Sequence, residues 1–252
     1  MRQSTLQYIS TRGTAPKLPF DEVLLAGLAR DGGLYLPESW PQLVPETIRA
    51  MRDMPFAEIA VAVLQPFVGE TISPAALQRM AQDAYADFGS ADVTPLVPLG
   101  TDGQGGRRHV LELFHGPTLA FKDVAMQLLA RLMDHVLERQ GRRATIVGAT
   151  SGDTGGAAIE AFRASKRVDV IILFPDGRVS DVQRRMMTTP GETNVHAAAI
   201  AGTFDDCQAL VKAMFNDLAF RDSMHLSGVN SINWARIVAQ VTYYFAAAAK
   251  LG

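Results

Sequence analysis

The stretch Thr150-Ser151-Gly152-Asp153-Thr154-Gly155-Gly156 sets hydroxyls, one carboxylate and glycines between an apolar run and a segment of helical periodicity. At a strand-to-helix junction such a loop offers unpaired backbone N–H groups and the positive end of a helix dipole, which suits a phosphate or a carboxylate. It lacks the G-x-G-x-x-G of dinucleotide sites and the Gly-Lys-Ser/Thr of a P-loop. Gly148-Ala149-Thr150-Ser151-Gly152 also puts serine in the wrong register for a nucleophile elbow. An anion seat and a tight turn with an N-cap are both open readings. Upstream, Lys122 follows a Gly116-Pro117 turn and stands beside Leu119, Ala120 and Phe121 at an expected helix start. A lysine at an arbitrary position is a solvated surface charge. Here apolar neighbours and a helix N-terminus favour the neutral amine, the form that condenses with an aldehyde.

Alternating strands and helices must position these groups. Residues 1–90 read as α-rich and irregular, with helices expected at 20–29, 45–51 and 74–88 and a turn plus extended piece at 31–37. From residue 91 the pattern changes to an expected strand at 110–114 and a long helix at 119–138, with Val124, Leu128, Leu132 and Val136 on one face. Strands at 144–149, 168–174 and 194–200 then alternate with helices at 157–165, 182–187 and 203–218, and 151–156 is a loop. That order predicts βαβ units in a parallel sheet, with 142–225 as a smaller domain inside the 91–252 region. A last helix is expected over 233–250.

Composition narrows the partners. The chain has 252 residues, 48% of them hydrophobic, enough for a sizeable core. Its 24 Lys+Arg against 26 Asp+Glu give a formal net charge of −2, so no basic excess points to nucleic acid. The longest uncharged apolar run, 237–249, would span roughly 20 Å as a helix against about 30 Å for a bilayer core. A membrane span is therefore not expected. Residues 1–5 lead into no continuous apolar stretch, so no secretory leader is read. One cysteine, Cys207, rules out an intrachain disulfide and multi-cysteine metal sites, and the reading is cytoplasmic. His109, His135, His196 and His225 are dispersed without metal-ligand spacing.

Taken together, the segments resemble one family. Tyr8-Ile9-Ser10-Thr11-Arg12-Gly13, Gly27-Leu28-Ala29-Arg30-Asp31-Gly32-Gly33-Leu34-Tyr35-Leu36-Pro37, Phe114-His115-Gly116-Pro117-Thr118-Leu119-Ala120-Phe121-Lys122-Asp123, Ala149-Thr150-Ser151-Gly152-Asp153-Thr154-Gly155 and Asn230-Ser231-Ile232-Asn233-Trp234-Ala235-Arg236 occur in order. They are similar to the threonine synthases, pyridoxal-phosphate (PLP) enzymes of fold type II. The resemblance implies that fold: parallel sheets with flanking helices, preceded by an α-rich N-terminal region. It also implies conversion of O-phospho-L-homoserine and water to L-threonine and phosphate.

On that resemblance Lys122 would hold PLP as a Schiff base and act as base and acid at Cα and Cβ. Thr150, Ser151, Gly152, Asp153, Thr154 and Gly155 would grip the substrate's α-carboxylate. The substrate's phosphate needs polar and cationic donors, which Asn230, Ser231, Asn233 and Arg236 offer; Asn233 as a plain N-cap and Arg236 as a surface cation is the other reading. His115 could approach the cofactor, or hydrogen-bond to backbone in its turn. No metal is implied.

Family members are expected to continue past this point, with a Gly-Asn loop around the cofactor's phosphate, and no Gly-Asn-Phe-Gly occurs here. The expectation is a chain lacking the C-terminal part of the fold, holding PLP weakly and turning over little by itself. Self-association through open sheet edges, or completion by a missing C-terminal segment, would follow. Two other readings are a related PLP phospho-lyase or dehydratase and a non-catalytic fragment that binds an anion at 151–155.

Overall fold

Residues 6–252 are described in the computed structural model; residues 1–5, on which the reading of no leader rests in part, lie outside them. Two short strands, β1 (Tyr8–Ser10) and β2 (Tyr35–Pro37), pair antiparallel and turn Tyr8, Ser10 and Tyr35 inward. The Tyr8 hydroxyl, fully buried, donates to the Phe67 carbonyl at 2.7 Å. Helices α1 (Phe20–Ala26), α2 (Pro45–Ala50), α3 (Phe56–Val68) and α4 (Pro74–Tyr85) pack around this pair. Pro74 at N1 and the Ser73 side chain, which accepts from Ala76 N–H, start α4. Helix α3 lies in a stretch for which no helix is expected. It buries Phe56, Ile59, Ala60, Val63, Leu64 and Val68 and carries Pro66 within its last turn.

A hairpin, β3 (Leu96–Thr101) and β4 (Arg107–Leu111), follows, with its register shifted between Pro98 and Gly100. The single strand expected at 110–114 is thus displaced toward the N-terminus and has a partner. Helix α5 (Lys122–Gln140) starts at Lys122 rather than at 119, because Leu119 adopts φ +60° and holds residues 119–121 in a turn. Val124, Leu128, Leu132 and Val136 are all buried, and Gly141 in the left-handed region ends the helix.

The remaining elements are β5 (Ala144–Ala149), α6 (Asp153–Phe162), β6 (Val168–Pro175), α7 (Asp181–Thr188), β7 (Val195–Ile200), α8 (Phe204–Asn216), α9 (Leu218–Ser223), β8 (Leu226–Ser227) and α10 (Trp234–Leu251). The strands form one parallel sheet in the order β7-β6-β5-β8, flanked by helices as the βαβ pattern requires. The helix expected at 203–218 is broken at Asp217, whose carboxylate accepts from Phe220 N–H and opens α9. Helix α10 packs on α3 and α5, joining the N-terminal region to the sheet layer. No helix among the described residues is long and apolar enough to cross a membrane. The carboxyl end of β5 therefore meets the start of α6 in the middle of the sheet, where ligands of open parallel sheets sit.

Candidate active site

Lys122 is aimed by the residue after it. Asp123 is fully buried; its Oδ1 accepts from the Thr118 hydroxyl at 2.7 Å and its Oδ2 from Thr118 N–H at 2.8 Å. Burial pushes the Asp123 carboxyl above the usual carboxylate range, and the two Thr118 donors oppose that. The clamp closes the turn before α5, so Lys122 leaves it as the first helical residue. Its Nζ lies 3.4 Å from Asp153 Oδ2 and 4.4 Å from the centroid of the Phe121 ring. The lysine side chain is only 17% exposed.

Helix α6 begins four residues earlier than expected, so Asp153 to Gly156 form its first turn. Thr150, buried at the end of the strand, accepts from Gly152 N–H at 3.0 Å and Gly155 N–H at 2.9 Å through Oγ1. Those two amides are consumed. The donors left for an anion are the N–H groups of Ser151, Asp153 and Thr154 and the hydroxyls of Ser151 and Thr154. Gly152 is required by its φ of +146°, and Gly155 by close approach, since a Cβ there would stand 2.6 Å from Thr150 Cγ2. Gln183 also donates to Asp153 Oδ1 at 2.6 Å, so Asp153 links α7 to Lys122.

The third group divides. Asn233 is fully buried and caps α10: its Oδ1 accepts from Ala235 N–H at 2.9 Å, and its Nδ2 donates to the carbonyls of Leu24 at 3.0 Å and Gly228 at 2.8 Å. Both amide hydrogens are spent, so Asn233 drops out of the expected set of phosphate donors. Asn230 and Ser231 are exposed, and Asn230 uses only Oδ1, toward Ile232 N–H. Arg236 is not a surface cation. It is 8% exposed and has no carboxylate partner among the described residues. One terminal nitrogen donates to Gln240 Oε1 at 2.6 Å, and its Nε is buried without a partner. Burial pushes its guanidinium down from the ordinary value. Its Cζ lies 5.9 Å from the Phe121 ring centroid, so that one ring has both Lys122 and Arg236 within cation–π range.

His115 pairs with a side chain rather than with backbone. Its Nε2 lies 2.8 Å from Glu112 Oε2, and its ring stacks on Phe114 at 4.7 Å. The sequence reading missed Asp123, Thr118 and Gln183. Nothing local marks Gln183, which lies 30 residues from Asp153.

Residues 89–252 match the family model described as "Pyridoxal-phosphate dependent enzyme". The chain belongs to the pyridoxal-phosphate-dependent enzyme family. Residues 7–85 match a second model, "Threonine synthase N terminus". Among curated relatives, threonine synthase of Pseudomonas aeruginosa is 53% identical over 98% of this chain and 52% of its own length. That of Schizosaccharomyces pombe is 46% identical over 96% of this chain and 48% of its own length. The chain spans about half the length of the curated relatives it matches. A PLP-bound threonine synthase structure from Brucella melitensis aligns with a TM-score of 0.89 at 63% identity, covering 98% of this chain and 52% of that one. The yeast enzyme aligns at 0.88 and 42% identity, over 98% of this chain and 50% of that one. The residues present suit the family's cofactor: a half-enclosed lysine amine can take its aldehyde, and the orphaned Arg236 Nε and the open first turn of α6 can take anionic groups.

Proposed function

We propose that the chain serves the threonine synthase reaction, in which O-phospho-L-homoserine and water give L-threonine and phosphate with PLP held through Lys122. The observation that carries this reading is the meeting of three groups: the Lys122 amine, the first turn of α6 and the unpaired, buried Arg236, joined through Asp153 and Phe121. Similarity to threonine synthases over nearly the whole chain supports it. When bound, PLP supplies the electron sink for the carbanionic chemistry.

The protein's own groups do the rest. Lys122 takes the proton from Cα and carries protons to and from Cβ. Ser151, Asp153 and Thr154 hold the α-carboxylate through backbone N–H groups and hydroxyls, with Thr150, Gly152 and Gly155 shaping the seat. This fixes the Cα–H bond within reach of the amine. Arg236, with the Asn230 amide and the Ser231 hydroxyl, holds the phosphate that departs from Cγ, and Asn233 fastens that turn to α1. Phosphate leaves, water adds at Cβ, and threonine is released. We assign the chain to the cytoplasm, with residues 1–90 as an N-terminal unit and 91–252 as the catalytic region, and count self-association through sheet edges among its properties.

Borohydride trapping tests the reading. Incubation with PLP should give a visible absorbance band, and reduction followed by peptide mass mapping should place the label on Lys122. Lys122→Ala should abolish both, together with any phosphate release from O-phospho-L-homoserine. A label on another lysine, or phosphate release undiminished in Lys122→Ala, would overturn it.

A further inference from the structure

At the other end of the parallel sheet, where β5 and β8 begin, a cavity of about 420 Å³ opens between α1, β2 and α9. Leu25, Tyr35 and Leu137 supply apolar wall, and four guanidinium groups, His225 and the carboxylates of Glu22 and Asp222 also line it. Three of the four are matched. Arg30 makes a two-point pair with Asp222 at 2.8 and 3.0 Å, Arg142 meets Glu22 at 3.1 Å, and Arg143 meets Asp169 at 3.0 Å.

Arg221 is the exception. It is 6% exposed and forms no ion pair among the described residues. One terminal nitrogen donates to the carbonyls of Ala26, at 3.1 Å, and Leu28. Its Cζ lies 5.5 Å from the Phe215 ring. Its Nε and its other terminal nitrogen donate to no group among the described residues. A guanidinium stays charged even when burial disfavours it, as burial does here. A charge withdrawn from water, with N–H groups left free on Nε and on one terminal nitrogen and a cavity beside it, is matched by an oxyanion.

We propose that this cavity is a second ligand site, for a small organic oxyanion: a carboxylate or phosphate carried on an apolar body. The oxyanion meets a free N–H group of Arg221, and the body lies against Leu25, Tyr35 and Leu137. The cavity is of the size that small-molecule sites occupy, about 300–1,000 Å³, and has their makeup of apolar wall and few polar anchors. It lies at the start of the strands, whereas Lys122 and the α6 turn lie at the end where β5 finishes. Its occupation is thus separate from the reaction proposed above and does not depend on it.

Titration calorimetry of the full chain at low ionic strength, with phenyl phosphate and with benzoate, tests this. The expected result is saturable binding of at least one probe at up to millimolar concentration. Because Arg221 also ties Ala26 and Leu28, Arg221→Met is read only if its circular dichroism matches the parent. Arg142→Glu, at an exposed rim position, serves as the second variant. Arg221→Met should abolish the component of binding that persists in Arg236→Met, and Arg142→Glu, which reverses a charge at the rim, should weaken that component by about tenfold or more. Arg236→Met, which removes the phosphate anchor of the candidate active site, should leave a saturable component of the binding in place. Phenyl phosphate bound in preference assigns a phosphate head, and benzoate bound in preference a carboxylate. No saturable binding of either probe, binding insensitive to Arg142→Glu, or binding lost in Arg236→Met would overturn the proposal.

Discussion

Replacing Thr118 with Val isolates one bond of the clamp that aims Lys122. The substitution keeps the β-branched shape and removes the hydroxyl that donates to Asp123 Oδ1 at 2.7 Å. Asp123 is fully buried, so its carboxylate keeps the Thr118 N–H and loses the other donor to a site closed to water. A hydrogen bond to an ionised group is worth about 1.5–3 kcal/mol, and one between neutral groups about 0.5–1.5 kcal/mol. Burial raises the Asp123 carboxyl above its unfolded value, so the folded chain binds that proton more tightly than the unfolded chain. Its contribution to stability is therefore full below the unfolded value and is lost as pH rises through the folded one. The hydroxyl matters more once Asp123 is ionised. Thr118→Val should cost about 0.5–1.5 kcal/mol at acid pH, where Asp123 is protonated, and about 1.5–3 kcal/mol at alkaline pH, where it is ionised, the latter a fall in Tm of roughly 3–12 °C for a chain of this size. Urea unfolding followed by circular dichroism at both pH values reads the difference, and a double-mutant cycle with Asp123→Asn reads the coupling. Equal losses at the two pH values, or additive effects in the cycle, would refute the assignment of Asp123 as a buried, titrating clamp.

Other substitutions probe the same frame. Gly155→Ala should lower stability by about 1–3 kcal/mol, since its Cβ would meet Thr150 Cγ2 at 2.6 Å and Met187 Sδ at 2.7 Å; Gly156→Ala, whose nearest contact is 3.9 Å, should gain up to about 1 kcal/mol in thermal melts. Asn233→Ala strands the Leu24 and Gly228 carbonyls and the Ala235 N–H and should cost at least about 2 kcal/mol in urea titrations. Ser180→Ala breaks the capping box of α7 and should cost about 1 kcal/mol, with faster amide exchange confined to that helix. Arg30→Ala removes an exposed pair with Asp222 and should change stability by less than about 1 kcal/mol, an effect that added salt erases.

The sheet was legible because β5 and β6 are runs of buried aliphatics framed by breakers and alternating with helices, the pattern of a parallel sheet covered on both faces. Glycine misled the placement of α6. Gly155 and Gly156 read as loop residues, yet they sit inside the helix, and Gly155 keeps Thr150 and Met187 close. Strand β3 was hidden by Pro98 and Gly100, which a bulged edge hairpin tolerates, and β8 is too short to carry any alternation. Lys122 and the 150–155 loop stood out in the sequence because their chemistry is concentrated locally. Asn233 and Arg236 could not be separated that way. Which of the two is spent on backbone and which is left unpaired depends on Leu24 and Gly228, contacts made only when α10 docks on the N-terminal helices.

Asp153 belongs to two structures at once: it opens the first turn of α6, and it is the carboxylate facing the Lys122 amine. The candidate seat and the amine consequently share one equilibrium. An anion settling on that turn sets a second negative charge beside Asp153, and so alters the field at the lysine amine. By reciprocity, any change in the lysine's bonding alters the affinity of the seat by the same factor. A single side chain is enough to make the arrival of one ligand felt in the bonding of the other.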